Sequence, residues 1–300
     1  MNKYNKSIIY AIIGTITFAV GALFVRKLAY FTNGVSLSFL RMLIASAFIL
    51  PLYLKKRDCI SSQDKWKILF MGIITFIHFY SFILSLFNTS VIRSLSLTYM
   101  APLWTFIISL IYGHEAKGII KKSVLMVVSI FGILLLLSKG NFELLFSNNF
   151  NTGDIQALIS GIALSIYHFY GSRLRKRINL FTYVFWVYFI SSIPFIFLFG
   201  TGFSEFRFSI NIESIVLIIS VAVFPTVIGH TLINKSLKYV KSPLVSLITT
   251  QEITGGVLLT AIFLKDIPGI YEITGAIIII ISISLFYLID LKEIVISKDL

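Results

Sequence analysis

The chain has 300 residues, of which 57% are hydrophobic and only 13% charged, and it carries a formal net charge of +13. Soluble domains carry roughly 25% charged residues, so the two water-soluble domains that the length alone would allow are excluded. A single cysteine, Cys59, excludes any intramolecular disulfide.

Apolar runs matching spanning helices of about 20 residues recur along the whole chain. In order they cover Ser7–Val25, Val35–Leu54, Ile68–Phe87, Ser94–Tyr112, Ser123–Leu137, Ile155–Gly171, Leu180–Phe199, Ile215–Asn234, Leu244–Leu264 and Ile270–Ile289. These runs predict an all-α integral membrane protein with ten transmembrane helices. The fifth is short and borrows residues from Ile119 onward. The first, preceded by Lys3 and Lys6, has the look of a signal peptide. It is longer than a signal core, ends in Arg26-Lys27 and is followed by nine more spans, so it is read as a retained helix.

The positive charge is distributed unevenly. With the N-terminus in the cytoplasm, 19 of the 26 Lys and Arg fall in inner segments and 6 in outer ones, with Arg41 inside a span. This bias follows the positive-inside rule and predicts that both termini are cytoplasmic. The basic surplus is topological, which argues against nucleic acid as a partner.

The chain also repeats itself. Tyr99-Met100-Ala101-Pro102, ending at Gly113-His114-Glu115, matches Thr250-Gln251-Glu252-Ile253, ending at Leu264-Lys265-Asp266, at an offset of 151 residues. Tyr10–Gly14 aligns with Gln156–Ser160 at an offset of 146. Two five-helix repeats, 1–138 and 155–300, are joined by an outer loop, 139–154, that contains the polar stretch Asn148–Gly153. An odd number of spans per repeat predicts that the copies are inverted, a common plan among secondary transporters.

With these motifs in order, the chain resembles the drug/metabolite transporter superfamily in its ten-helix EamA branch. Pro102 with Gly113 and Glu115 is similar to the proline-centred fourth helix of that family, and Phe39-Leu40-Arg41 to its second-helix arginine. The second half departs from the pattern, with Glu252-Ile253 in place of Glu-Pro and Asp266 as the closing acid. The resemblance implies a multi-pass carrier in the cytoplasmic membrane, moving small metabolites, often amino acids and often outward, with no cofactor.

Charge inside a bilayer is costly, so the exceptions single themselves out. Glu252 lies midway through the ninth span, with Ser246, Thr249, Gly256 and Thr260 on its side. It is a candidate for binding a proton or a cationic group, or a carboxylate that only joins helices. Arg41, about two turns from the outer end of its helix, either snorkels to the interface or pairs with Glu252 or a substrate carboxylate. His78, His168 and His230 lie in three different spans, as proton relays or as packing residues, and no two share a helix at metal-ligand spacing. Tyr99 and Trp104 flank Pro102 and are candidate lining residues, as are Tyr80, Tyr167, Tyr170 and Trp186. Pro102 and Pro225 are candidate hinges. Gly14, Thr17 and Gly21, like Gly255 and Gly256, permit close helix approach.

A transporter working by alternating access on a small-molecule solute, with proton coupling as an option, fits these features. The rival classes are an integral-membrane enzyme and a passive channel. The chain has no HExxH and no Gly-x-Ser-x-Gly, and one acid with one base is a poor channel lining. Monomer and homodimer both remain open.

Overall fold

The computed structural model describes residues 2–113, 118–146, 150–265 and 267–296. His114, Glu115 and Asp266, which close the two repeat signatures, lie outside the described residues. So do Lys117, Asn148, Asn149 and Lys298, and the side chains of Arg26 and Thr260.

The described residues are helical apart from loops and one isolated bridge between Thr32 and Phe208. The first repeat contains α1 (Lys3–Leu28), α2 (Gly34–Lys56), α3 (Ser62–Asn88), α4 (Val91–Thr98), α5 (Ala101–Ile111) and α6 (Ile119–Ser138). A single turn, α7 (Glu143–Phe146), lies in the connecting loop. The second repeat contains α8 (Thr152–Leu174), α9 (Leu180–Gly200), α10 (Ile212–Val221), a π segment (Ala222–His230) and α11 (Thr231–Ser236), then α12 (Ser242–Thr249), α13 (Gln251–Leu264) and α14 (Ile270–Ile296). Side-chain caps fix many of the starts. Asn33, Ser61, Ser90, Asn151, Asn179 and Asn211 each accept a backbone N–H from the first turn of the helix they precede.

Eight helical stretches among the described residues are long and apolar enough to cross a membrane. α1, of 26 residues, and α8, of 23, have the length but fall outside those eight. Both turn small and polar residues inward: Ser7, Gly14 and Thr15 on α1, and Ser160, Gly161, Ser165 and His168 on α8.

The sequence presents the fourth and ninth spans as single segments, with Pro102 as a candidate hinge, and in the structure each is one membrane-length stretch interrupted by a turn. The fourth parts at Tyr99–Met100 because proline two residues on cannot donate to the preceding turn and crowds its carbonyls. Pro102 then occupies the first turn of α5, where its missing N–H costs nothing. Polar groups on α8 cover the broken backbone: the Ser165 hydroxyl donates to the Ala101 carbonyl at 2.8 Å. At Gly161 a Cβ would lie 2.8 Å from the Thr98 carbonyl, so only glycine allows this approach. The ninth span lacks the proline and still breaks, at Thr250. There the Thr249 and Thr250 hydroxyls donate to the carbonyls three residues back, at 2.7 and 2.8 Å, a bonding pattern that bends helices. The 151-residue offset superimposes the two breaks, Tyr99 falling on Thr250.

Each repeat lends its first helix to the other. α1 packs on α10, the π segment, α11, α12 and α13, while α8 packs on α3, α4 and α5. Equivalent helices also pair across the repeats, α2 with α9 and α6 with α14. Both pairs run antiparallel. Tyr53 stacks on Phe185 while Phe39 meets Phe199, and Lys122 meets Asp290 while Lys139 meets Glu272. α6 and α14 touch backbone to backbone, and a Cβ on Gly275 would lie 2.6 Å from the Gly132 carbonyl oxygen.

Ion pairs close the ends of this bundle. Lys122, fully buried, lies 2.7 Å from Asp290 and 2.9 Å from Glu293, and Lys241 at the head of α12 lies 2.8 Å from Glu293. At the other end of α6 and α14, Lys139 lies 3.3 Å from Glu272. The repeat offset carries Lys139 onto Asp290 and sets Glu272 beside the position of Lys122, so equivalent positions close both ends with the charges exchanged. At the start of α8, Asp154 accepts from Arg93 at 2.5 Å and from Thr89 at 2.8 Å, tying α8 to the α3–α4 turn.

A buried pair broken on one side leaves an uncompensated charge, at a cost of about 3–5 kcal/mol. Arg93→Met is therefore expected to lower the detergent-solubilised melting temperature sharply, and Arg93→Met/Asp154→Leu to recover most of the loss. Thermal unfolding of the three proteins checks this.

Candidate functional site

The two broken helices meet where the repeats meet. Tyr99 caps α4 and Glu252 opens α13, and the Tyr99 side chain lies next to the Glu252 carboxylate. One partner comes from each repeat. Gln251 and Thr254, which flank Glu252, have buried side-chain polar atoms without a hydrogen-bond partner.

Arg41 reaches the same region from α2. Its Nε donates to the Thr226 hydroxyl at 2.6 Å, and its guanidinium sits 4.8 Å over the Phe79 ring, a cation–π contact. Arg41 and Glu252 feel each other electrostatically but are not among the ion pairs within 4.0 Å of the described residues. The direct pairing held open by the sequence gives way to one hydroxyl and one ring for the arginine, with the Tyr99 phenol beside the acid. Thr226 is presented by the π segment, which also contains Pro225; a Cβ on Gly21 of α1 would lie 2.6 Å from that proline ring.

The three histidines converge from α3, α8 and the π segment. His78 Nδ1 lies 2.9 Å from the Ser160 hydroxyl and 3.1 Å from its carbonyl. The His230 ring packs against Phe18 at 4.6 Å and Phe79 at 5.8 Å. His168 is buried with Nδ1 unpartnered. Below them the Asn234 amide donates to the Tyr167 hydroxyl at 2.5 Å and the His230 carbonyl at 2.7 Å. His78, Phe79, Tyr167, Tyr188 and His230 enclose a cavity of about 10 Å³, at the lower limit for a single water.

The remaining candidates stand apart from this cluster. The Thr249 hydroxyl is taken up by its own helix. Ser246, on the same short helix, faces α5 and accepts from Thr105 at 3.3 Å. Trp104 has its indole N–H buried and unpartnered. At the C-terminal end of α8, Arg175 donates to the Asn234 and Ile178 carbonyls. Burial pulls its guanidinium down to about 10, which leaves it a cation at neutral pH.

Tyr188 and Thr226 were not singled out by sequence. The Tyr188 hydroxyl bridges the Thr226 carbonyl and the Thr231 hydroxyl, each at 3.3 Å. Thr226 follows Pro225 inside a span, which was the one available signal; Tyr188 is one aromatic among many on its helix.

The chain matches the EamA-like transporter family over residues 5–138 and again over 151–288. It belongs to that family of multi-pass membrane transporters, and the two matches coincide with its two repeats. A solved crystal structure of another protein superposes with a TM-score of 0.78 at 13% identity, over 95% of this chain and 97% of that one. At that identity the likeness concerns the fold alone. No curated protein sequence matches the chain.

Thr226→Val removes the acceptor of the Arg41 Nε and is expected to cost about 1–3 kcal/mol, the penalty of an unsatisfied buried donor. Combined with Arg41→Met, the cost is expected to be smaller than the sum of the two single effects, as for residues in contact. A double-mutant cycle on thermal unfolding measures it.

Proposed function

We propose that this protein is a secondary active transporter that carries a small metabolite, an amino acid or related amine, across the cytoplasmic membrane by alternating access, with export as the net direction. The observation that carries the reading is the meeting of Arg41, Tyr99, Glu252 and His230 between two repeats whose equivalent helices run antiparallel. A base and an acid held near each other without neutralising one another suit a solute bearing both a carboxylate and an ammonium group. The cavity beside His230, of about 10 Å³, is too small for such a solute, so binding requires the repeats to move apart on one side. The broken fourth and ninth helices supply joints for that movement, and the charge clusters at the bundle ends supply contacts that open and re-form. Ten crossings with both termini cytoplasmic fit the charge bias of the loops. The repeats then extend over 1–138 and 155–300, inverted with respect to each other.

Glu252 is the proton-coupling group in this reading. In proteoliposomes a pH gradient is expected to drive solute accumulation, and Glu252→Gln is expected to keep counterflow of labelled solute while losing the response to the gradient. Full gradient-driven accumulation by the variant removes Glu252 from that role. Counterflow itself separates a carrier from a channel, which gives none, and from an enzyme, which alters the solute.

The orientation has its own test. Cys59 is exposed in the α2–α3 loop and is expected to react with a membrane-impermeant maleimide only after the cytoplasmic face is opened. In a Cys59→Ser background, Ser204→Cys is expected to react from outside in intact cells.

A further inference from the structure

A large cavity lies away from the central site, at the end of the bundle that gathers most of the positive charge. It is a cleft of about 820 Å³ between the first turns of α3 and the last turn of α8 with the residues that follow. Four cations, Lys67, Arg173, Lys176 and Arg177, share it with the apolar or aromatic side chains of Trp66 and Phe70. Among the described residues the acid beside it is Asp64, 3.5 Å from Lys67 and 3.8 Å from Arg177. Arg173 is held by ring faces: its guanidinium lies 4.6 Å from the Tyr112 centroid and 4.3 Å from that of Phe169.

The cleft faces mainly away from the central cavity. On α3 four of its lining positions, 63, 66, 67 and 70, point about a third of a turn away from 75, 78 and 79, at 3.6 residues per turn, while Met71 turns toward them. Trp66 is 72% exposed and Phe70 45%, so this face looks outward. An exposed tryptophan marks the interface between headgroups and hydrocarbon. A basic cleft with an apolar wall at that depth matches an anionic phospholipid, phosphate toward the cations and acyl chain along Phe70.

We propose that this cleft binds the phosphate headgroup of an anionic phospholipid from the cytoplasmic leaflet. The bound lipid bridges the first repeat, through Lys67, and the second, through Arg173, Lys176 and Arg177, and so holds α3 against α8.

The test uses full-length protein in detergent, with native mass spectrometry and thermal unfolding as readouts. Phosphatidylglycerol is expected to be retained and to raise the melting temperature, and phosphatidylcholine is not. Lys176→Gln/Arg177→Gln, which removes two exposed charges, is expected to weaken phosphatidylglycerol binding about 30-fold, at about one factor of five to six per surface cation. Lys3→Gln/Lys6→Gln, the same charge loss elsewhere on that face, is expected to leave binding intact. Glycerol 3-phosphate and inorganic phosphate, as the free-anion arm, are expected to neither stabilise the protein nor displace the lipid. Equal retention of the two lipids, an unaffected cleft variant, an equally affected control variant, or stabilisation by the free anions would each overturn the proposal. None of these outcomes depends on the solute carried or on Glu252.

Discussion

Hydrocarbon offers no hydrogen bonds, so a helix that breaks within a membrane must find partners for its freed backbone inside the protein. The fourth and ninth helices both break here, and much of the architecture answers that requirement. α8 brings Ser165 and the bare surface of Gly161 to the first break. Thr249 and Thr250 serve the second from within their own chain. The exchange of first helices between repeats follows, because the helix that covers the break in the first repeat belongs to the second.

The same constraint governs the charges. Arg41 is tolerated through a hydroxyl and a ring face, and Lys122 through two acids on α14, while Glu252 lies beside the Tyr99 phenol. The distribution differs between centre and ends. At the ends, cations and carboxylates sit in direct contact and lock helices together. At the centre Arg41 and Glu252 stay apart, each beside neutral groups, so no direct ion pair has to be broken to separate them.

The π segment extends this logic. A π turn is wider than an α turn and occurs often at functional sites. Here it seats Pro225 against Gly21 of α1 and turns Thr226 toward Arg41 and His230 toward Phe18 and Phe79. Its close packing on α1, where a Cβ on Gly229 would meet Thr17 at 2.5 Å, links the central cluster to the helix exchanged between the repeats.

The amino-acid sequence by itself determined the class of protein, the helical segments to within seven residues at their ends, and the duplication, and it singled out Arg41, Glu252 and three histidines as candidates. Apolar runs, loop charge and rare buried charges are local properties of a chain in hydrocarbon, and each can be read without knowing its neighbours. Only the tertiary structure decided what each charge touches. Nothing local says that Arg41 meets Thr226, some 185 residues away, or that Arg41 and Glu252 form no direct ion pair. Nor does local sequence announce a helix break made by two threonines instead of a proline, because threonine bends a helix only when its hydroxyl turns back to the carbonyls of its own helix. The buried pairs Arg93–Asp154 and Lys122–Asp290 lay near predicted span ends, where charge is expected in loops, and only the packing of α4 on α8 and of α6 on α14 takes them out of water.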